Sequence, residues 1–452
     1  MQVSITLAVA ALAASLLAAV AGAGEAGQRT PAPGTEFPAT AAYVPGEVVV
    51  GRKGGGERVV ELASGKPVGE AIDQLERRRR VEYAVPNWIA RTALNPLDAG
   101  TSLSPGGWVH DQWSFLERPG GIRVRSAWDR LVEARRPGAR GTTIAIVDTG
   151  VAYAEAPAHE RAPDFGRRRF VAPRDFVDGD SQPLDSNGHG THIAGTIGER
   201  VTLGKPATAP DYLTGIAYRA RLMPVRVLDE TGAGPATTVA AGIRWASRHG
   251  ADVINLSFQF HDAVSSCDQV PAVCAAVRQA KRRGALVVGA AGNAIAGEGT
   301  GGALFPAAAP GVLGVGATTE HGCLAAYSHY GRGVEIVAPG GGPPASNGLR
   351  RACVQDQRAV LQVTYECYPQ CGQAGGAGEP FAIRADTGTS MASAHASAVA
   401  AMVIQSGAVG RRPTARQVMR RLTCTARSPG ARLYYRAGLL DAFRAVRPKV
   451  RC

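Results

Sequence analysis

The sequence has no internal repeat at solenoid or propeller spacing, which excludes a stacked or bladed architecture. After its opening residues it has no apolar run that approaches the length of a membrane span. Its eight cysteines include no two C-x-x-C pairs, and no histidine stands in the 353–371 stretch that holds three of them; this disfavours a zinc cluster. The net charge is +13, yet the basic residues are scattered, mostly as arginine, and Arg77–Arg80 is their longest run. A nucleic-acid binder would gather such residues on one element with interleaved aromatics, and aromatics are only 6% of this chain, so no nucleic-acid partner is implied. A solvated basic surface is the reading, with affinity for acidic polymers or cell walls as a lesser option.

What is present begins with an apolar segment, residues 1–23, that carries no Lys or Arg and closes on Ala21-Gly22-Ala23. The small-x-small ending suits signal-peptidase cleavage and predicts export, with an N-terminal membrane anchor as the alternative. Eight cysteines can pair completely, as an oxidising compartment allows. Cys267 and Cys274 are close enough to bridge locally, and the remaining connectivity is open. Residues 24–41 have the Gly, Ala, Pro and Thr composition of a linker. Residues 42–95 predict a small α+β unit. Its strands are "EVVVGRK", "RVVELAS" and "VEYAVPNWIAR", and its amphipathic helix is "VGEAIDQLERRRR", with the Arg77–Arg80 run inside it. A unit of about 50 residues is marginal and gains from a partner.

Residues 96–452 change character. Apolar runs in "TTIAIVD", "RLMPVRVL", "ADVINLSF" and "ALVVGAAGN" read as buried parallel strands that alternate with helices. That alternation predicts an α/β domain of three α/β/α layers with a mostly parallel sheet, whose functional groups sit at the carboxyl ends of the strands. Asp148 closes the first of these runs. His189 stands between two glycines in "DSNGHGTHIAG", and Ser390 opens a small-residue helix in "GTSMASAHAS". A serine hydroxyl attacks only when a base takes its proton, and an imidazole base needs an acid to hold its tautomer. Singly, each residue has a structural reading: Asp148 as a helix cap, His189 as a satisfied buried histidine, Asn293 as a turn former. His192 and His395 read as packing residues.

Together and in this order, "DTG", "HGTHIAG" and "GTSMAS" resemble the subtilase family of serine proteases, over roughly residues 42 to 446. The resemblance implies that Asp148 orients the base, that His189 is general base and then general acid, and that Ser390 is the acylated nucleophile. It implies an oxyanion hole made by Asn293 with the Ser390 backbone N–H. Gly232 and Gly234 would form one wall of the substrate groove, and Ser257 and Phe258 the other, holding a peptide as an added strand. Residues 42–95 would be a propeptide that assists folding and blocks the cleft. The expected protein is thus a secreted, self-processing serine endopeptidase acting on protein or peptide substrates. It would be a monomer that needs no cofactor for catalysis and has no membrane span once its signal is removed.

Four features depart from that pattern or extend it. Gln259 stands where the family has glycine, which bears on the primary specificity pocket, and uncharged Ala294 suggests an apolar or broad preference. Ala394 replaces a proline, a mild change in a first helical turn. Residues 341–382 read as a disulfide-pinned surface insertion near the site. Asp175, Asp178, Asp180 and Asp185 in "DFVDGDSQPLD" suit either a structural calcium ion or an acidic solvent loop.

Overall fold

The computed structural model describes residues 43–92 and 111–452, apart from 157–158, 164, 166–168, 200–212, 295–296, 347–352, 355–356, 370, 372–379, 449 and 451. The expected leader and linker lie outside the described residues. Among the described residues no helix is long and apolar enough to cross a membrane.

Strands β1 (Tyr43–Arg52), β2 (Glu57–Glu61) and β3 (Val81–Thr92) pair antiparallel in the order β2-β1-β3. Val48, Val50 and Ala84 turn one face toward the helix Val68–Glu76, which answers with Ala71, Ile72 and Leu75 at helical spacing. That helix ends at Glu76, so Arg77–Arg80 lies in an exposed turn after it and not inside it as expected. Adjacent guanidiniums separate and hydrate more easily in a turn, and positive charge suits the helix C-terminus.

Seven strands form the main sheet: β4 (Thr143–Asp148), β5 (Arg174–Asp175), β6 (Arg221–Arg226), β8 (Val253–Leu256), β10 (Leu286–Ala290), β11 (Val312–Thr318) and β12 (Ile336–Pro339). Their order is β12-β11-β10-β8-β4-β6-β5, and every pairing in it is parallel. Along β4, Ile144 and Ile146 face one side, and Ala145 and Val147 the other. The first side packs on helices His189–Gly198 and Thr389–Ser406, the second on helices Ala236–Arg248 and Pro271–Arg282. A strand apolar on both faces needs a helix layer on each, and the three-layer expectation holds. The helix Thr389–Ser406 is buried from Thr389 to Val403, and its alanines and serines let it lie close against the sheet.

Four disulfides join Cys267 to Cys274, Cys323 to Cys353, Cys367 to Cys371 and Cys424 to Cys452. The first is the local bridge that the sequence suggested.

Candidate active site

Asp148 is the last residue of β4, at the carboxyl edge of the sheet. Its Oδ1 lies 2.6 Å from His189 Nδ1, and both side chains are fully buried. The same oxygen accepts the Thr149 N–H at 2.8 Å. His189 opens its helix behind Gly188, whose φ of 104° is left-handed. A Cβ on Gly190 would stand 2.0 Å from the Gly150 carbonyl oxygen, so glycine there lets the helix start rest directly on the Asp148 turn. Asp185 ties the loop down. Its two oxygens accept from the backbone N–H groups of Asn187, Gly188 and Thr191 and from the hydroxyls of Thr149 and Thr191. Burial is the largest influence on the His189 imidazole and acts downward. The Asp148 charge and hydrogen bond, with the charges of Asp386 and Asp185, outweigh it and leave the pKa raised.

The other two helix histidines behave as packing groups. Burial, foremost, lowers His192 to about 3 and His395 to about 4. His395 Nδ1 donates to the Met391 carbonyl at 2.7 Å, and Nε2 accepts from the Ser114 hydroxyl at 2.9 Å.

Ser390 is the second residue of its helix, and its Oγ donates to the Ser257 carbonyl at 2.8 Å. Val147 pairs with Leu256, so Asp148, the last residue of β4, and Ser257, the residue after β8, follow that pair on adjacent strands. His189 Nε2 is buried and makes no hydrogen bond among the described residues. Asn293 Oδ1 accepts from Thr389 N at 3.0 Å and from Thr389 Oγ1 at 2.8 Å. That holds the acceptor end of the amide at the start of the Ser390 helix and leaves the Nδ2 end as its donor.

Beneath Ser390 runs a polar network that the sequence reading missed. Asn255 Nδ2 donates to Ser257 Oγ, Ser257 Oγ lies 2.8 Å from Ser393 Oγ, and Ser397 Oγ donates to Asn255 Oδ1. A signal was available: serines 390, 393 and 397 recur at helical spacing in an alanine-rich segment and so share the face against the sheet. Ser257 was expected to line the groove. Its hydroxyl points inward, donating to the Ser390 carbonyl at 3.0 Å, while its main-chain oxygen faces Ser390 Oγ.

The short strands β7 (Ala233–Pro235) and β9 (Phe258–Phe260), expected as the walls of the groove, flank the end of β3, which lies antiparallel between them. Ala90 pairs with Gly234 and Phe260, Arg91 with Ala233 and Gln259, and Thr92 with Phe258. Phe258 is fully buried, so it meets the strand through its main chain alone. Gly234 is held to glycine from beneath: a Cβ there would stand 2.1 Å from the Val227 carbonyl oxygen. Gly232 turns the chain into β7 with a φ of 75°.

Two further expectations meet a different arrangement. The four aspartates do not fit a calcium ion, because a guanidinium already holds part of the set: Arg226 pairs with Asp175 at 3.0 Å and also with Asp178. Asp180 accepts the Gln182 N–H, and Asp185 is spent on the His189 loop. Among the described residues no group of three or more His, Cys, Asp or Glu could hold a metal ion.

The described part of the 341–382 segment does more than cover the surface. Its strand β13 (Val360–Tyr365), paired with β14 (Phe381–Asp386), packs over the His189 helix. Thr364 Oγ1 donates to the Gly188 carbonyl, and Tyr365 OH to the Asp185 carbonyl at 2.8 Å. Asp386, fully buried at the end of β14, accepts from Tyr368 OH and from Thr387 N, and burial, foremost, raises it to about 6.

Residues 139–438 match the Subtilase family. The chain is 33% identical over 274 residues to the Thermophilic serine proteinase of Bacillus sp. (strain AK1), an alignment covering 60% of this chain and 58% of that protein. It is 32% identical over 308 residues to Subtilisin Savinase of Lederbergia lenta, covering 68% of this chain and 91% of that one. Among solved structures, a protease from Pseudoalteromonas arctica is similar with a TM-score of 0.58 at 27% identity, over 75% of this chain and 96% of that chain.

Proposed function

The chain belongs to the Subtilase family of peptide-bond hydrolases, and from that premise we propose that it is a secreted serine endopeptidase, made as a proenzyme and matured by its own activity. The observation that carries this reading is the buried Asp148–His189 pair at 2.6 Å, beside the strand end whose Ser257 carbonyl meets Ser390 Oγ. Ser390 Oγ attacks the substrate carbonyl while His189 Nε2 takes its proton, and Asp148 holds Nδ1–H so that Nε2 is the basic nitrogen. Negative charge on the attacked oxygen is met by Asn293 Nδ2 and by the Ser390 N–H at the helix N-terminus; losing one such donor costs about 100 to 1,000-fold in kcat. His189 returns its proton to the leaving amine, and water then hydrolyses the acyl-enzyme with His189 again as base.

The position of the Ser390 hydroxyl gives substrate a part in this. A peptide added between β7 and β9 needs the Ser257 carbonyl for its own N–H. Taking it frees the hydroxyl to turn toward His189 Nε2.

The β3 register also predicts where maturation occurs. Thr92, the last residue of β3, lies opposite Phe258, next to Ser257, so we place the first cut just beyond β3, between Ala93 and Leu94. The test is labelling by a fluorophosphonate probe, with mass spectrometry of the new N-terminus. Wild type should be labelled and begin at Leu94, and Ser390→Ala should be neither labelled nor cut. A wild type that stays unlabelled after its N-terminal unit is removed would leave a non-catalytic scaffold as the reading.

A further inference from the structure

Gln259 has a side chain where a substrate groove of this kind needs room. Opposite residues of an antiparallel pair share a face, and faces alternate along each strand. Phe258 and Phe260 are fully buried on one face of β9. Gln259, half-buried, is therefore on the other, together with any substrate residue that lies opposite Ser257. That substrate residue is the one whose carbonyl meets Ser390, the acyl-side residue of the scissile bond. On this face a cavity opens, lined by Gln259, Asn293, Ala294, Thr300, Gly301 and Leu304 among others.

The Gln259 amide is bonded at both ends to the main chain of Asn293. Its Oε1 accepts the Asn293 N–H at 2.7 Å, and its Nε2 donates to the Asn293 carbonyl at 3.3 Å. The pair closes a ring like that of two opposed strand residues. A side chain held at two points cannot swing aside for a bulky neighbour without breaking both bonds and leaving an amide unpaired next to a buried loop.

We propose that Gln259 is a specificity-determining residue: its amide, clamped from β9 to the oxyanion loop, forms a bar across the mouth of this cavity and restricts the acyl-side residue to a small side chain. The proposal rests on the reading of Ser390 as nucleophile. It is consistent with the predicted cut after an alanine. It also fits Ala294, which adds no charge to the wall. Two acids face the same cavity, Asp262 and Glu298, and the Glu298 Oε1 accepts the Ser346 N–H, so a basic residue is the competitor to be tested.

The experiment compares kcat/KM for one peptide series with Ala, Leu, Phe or Arg at the acyl-side position, in mature wild type, Gln259→Gly and Gln259→Ala. Wild type should prefer Ala over Phe by at least about tenfold, the range that shape exclusion in a pocket supplies. In Gln259→Gly the Phe/Ala ratio should rise by about 10 to 100-fold, and in Gln259→Ala by less. Wild type taking Phe or Arg as well as Ala would overturn the proposal even if neither variant folds. So would a loss shared equally by all four peptides, which would mean that the clamp serves only to place Asn293. Fluorophosphonate titration, run first, separates the two claims. Unlabelled enzyme removes the nucleophile and this proposal with it, whereas labelled enzyme without a size preference removes this proposal alone.

Discussion

Asp386 and His189 are both buried, and each alters the other's proton. The carboxyl is raised to about 6, from burial first, while its charge helps to raise the imidazole. A folded-state pKa above the unfolded value means that the folded protein holds this proton more tightly. Stability from Asp386 is therefore greatest at low pH and is lost as pH rises from about 4 through about 6, by up to about 3 kcal/mol for a shift of this size. Asp386→Asn should not show that loss. Chemical denaturation at pH 4 and pH 7 checks it: wild type should weaken relative to the variant at the higher pH. The variant should also move the acid limb of kcat/KM to lower pH, because His189 loses one neighbouring anion. Asp148, His189 and Ser390 were legible in the sequence because each sits at a strand or helix boundary with glycine or small neighbours. The Asp386–Tyr368 pair was not, since a pair 18 residues apart in a hairpin carries no periodic signal.

At the scale of elements, the active site depends on how closely a helix start can approach a strand end. Gly190 is where that approach is tightest. Gly190→Ala must push the helix away from Gly150 and so part His189 from Asp148. We expect kcat to fall about 100-fold or more while near-UV circular dichroism stays native, since displacement of about 1 Å costs that much. A second element-level prediction concerns the acidic loop at β5. Arg226 is nearly buried and faces Asp175, which is fully so. Arg226→Met strands that carboxylate and should cost about 3 to 5 kcal/mol, read as a lowered denaturation midpoint. From sequence the loop read equally as a calcium site, because its acids are local and their partner is about 50 residues away, which spacing does not reveal.

Across the whole molecule, the N-terminal unit and the catalytic domain are joined by more than the groove. Arg244 binds Glu57 with both terminal nitrogens, at 2.9 and 3.2 Å, and Tyr83 OH donates to the same carboxylate. Trp88 is buried in the domain's own core, edge-on to Tyr43. The small unit thus packs on the larger domain through both polar and apolar contacts. Arg244→Ala should weaken inhibition of the mature enzyme by an added 24–93 chain about tenfold, as expected for a charged hydrogen bond pair. A rise in the measured inhibition constant, with kcat/KM of the mature enzyme unmoved, would separate docking from chemistry.

By itself the sequence determined the layer architecture, the small α+β unit and which three side chains, Asp148, His189 and Ser390, are proposed to react. Each is written locally: in runs of apolar residues, in helical spacing, and in glycines beside a single functional group. Only the tertiary structure decided which acids were spent on Arg226 and on the His189 loop. It alone turned the Ser257 hydroxyl inward, laid β13 and β14 over the His189 helix, and set Gln259 against Asn293. These depend on residues far apart in the chain meeting through the closed sheet, and side-chain chemistry names the partners a residue could have without choosing among them.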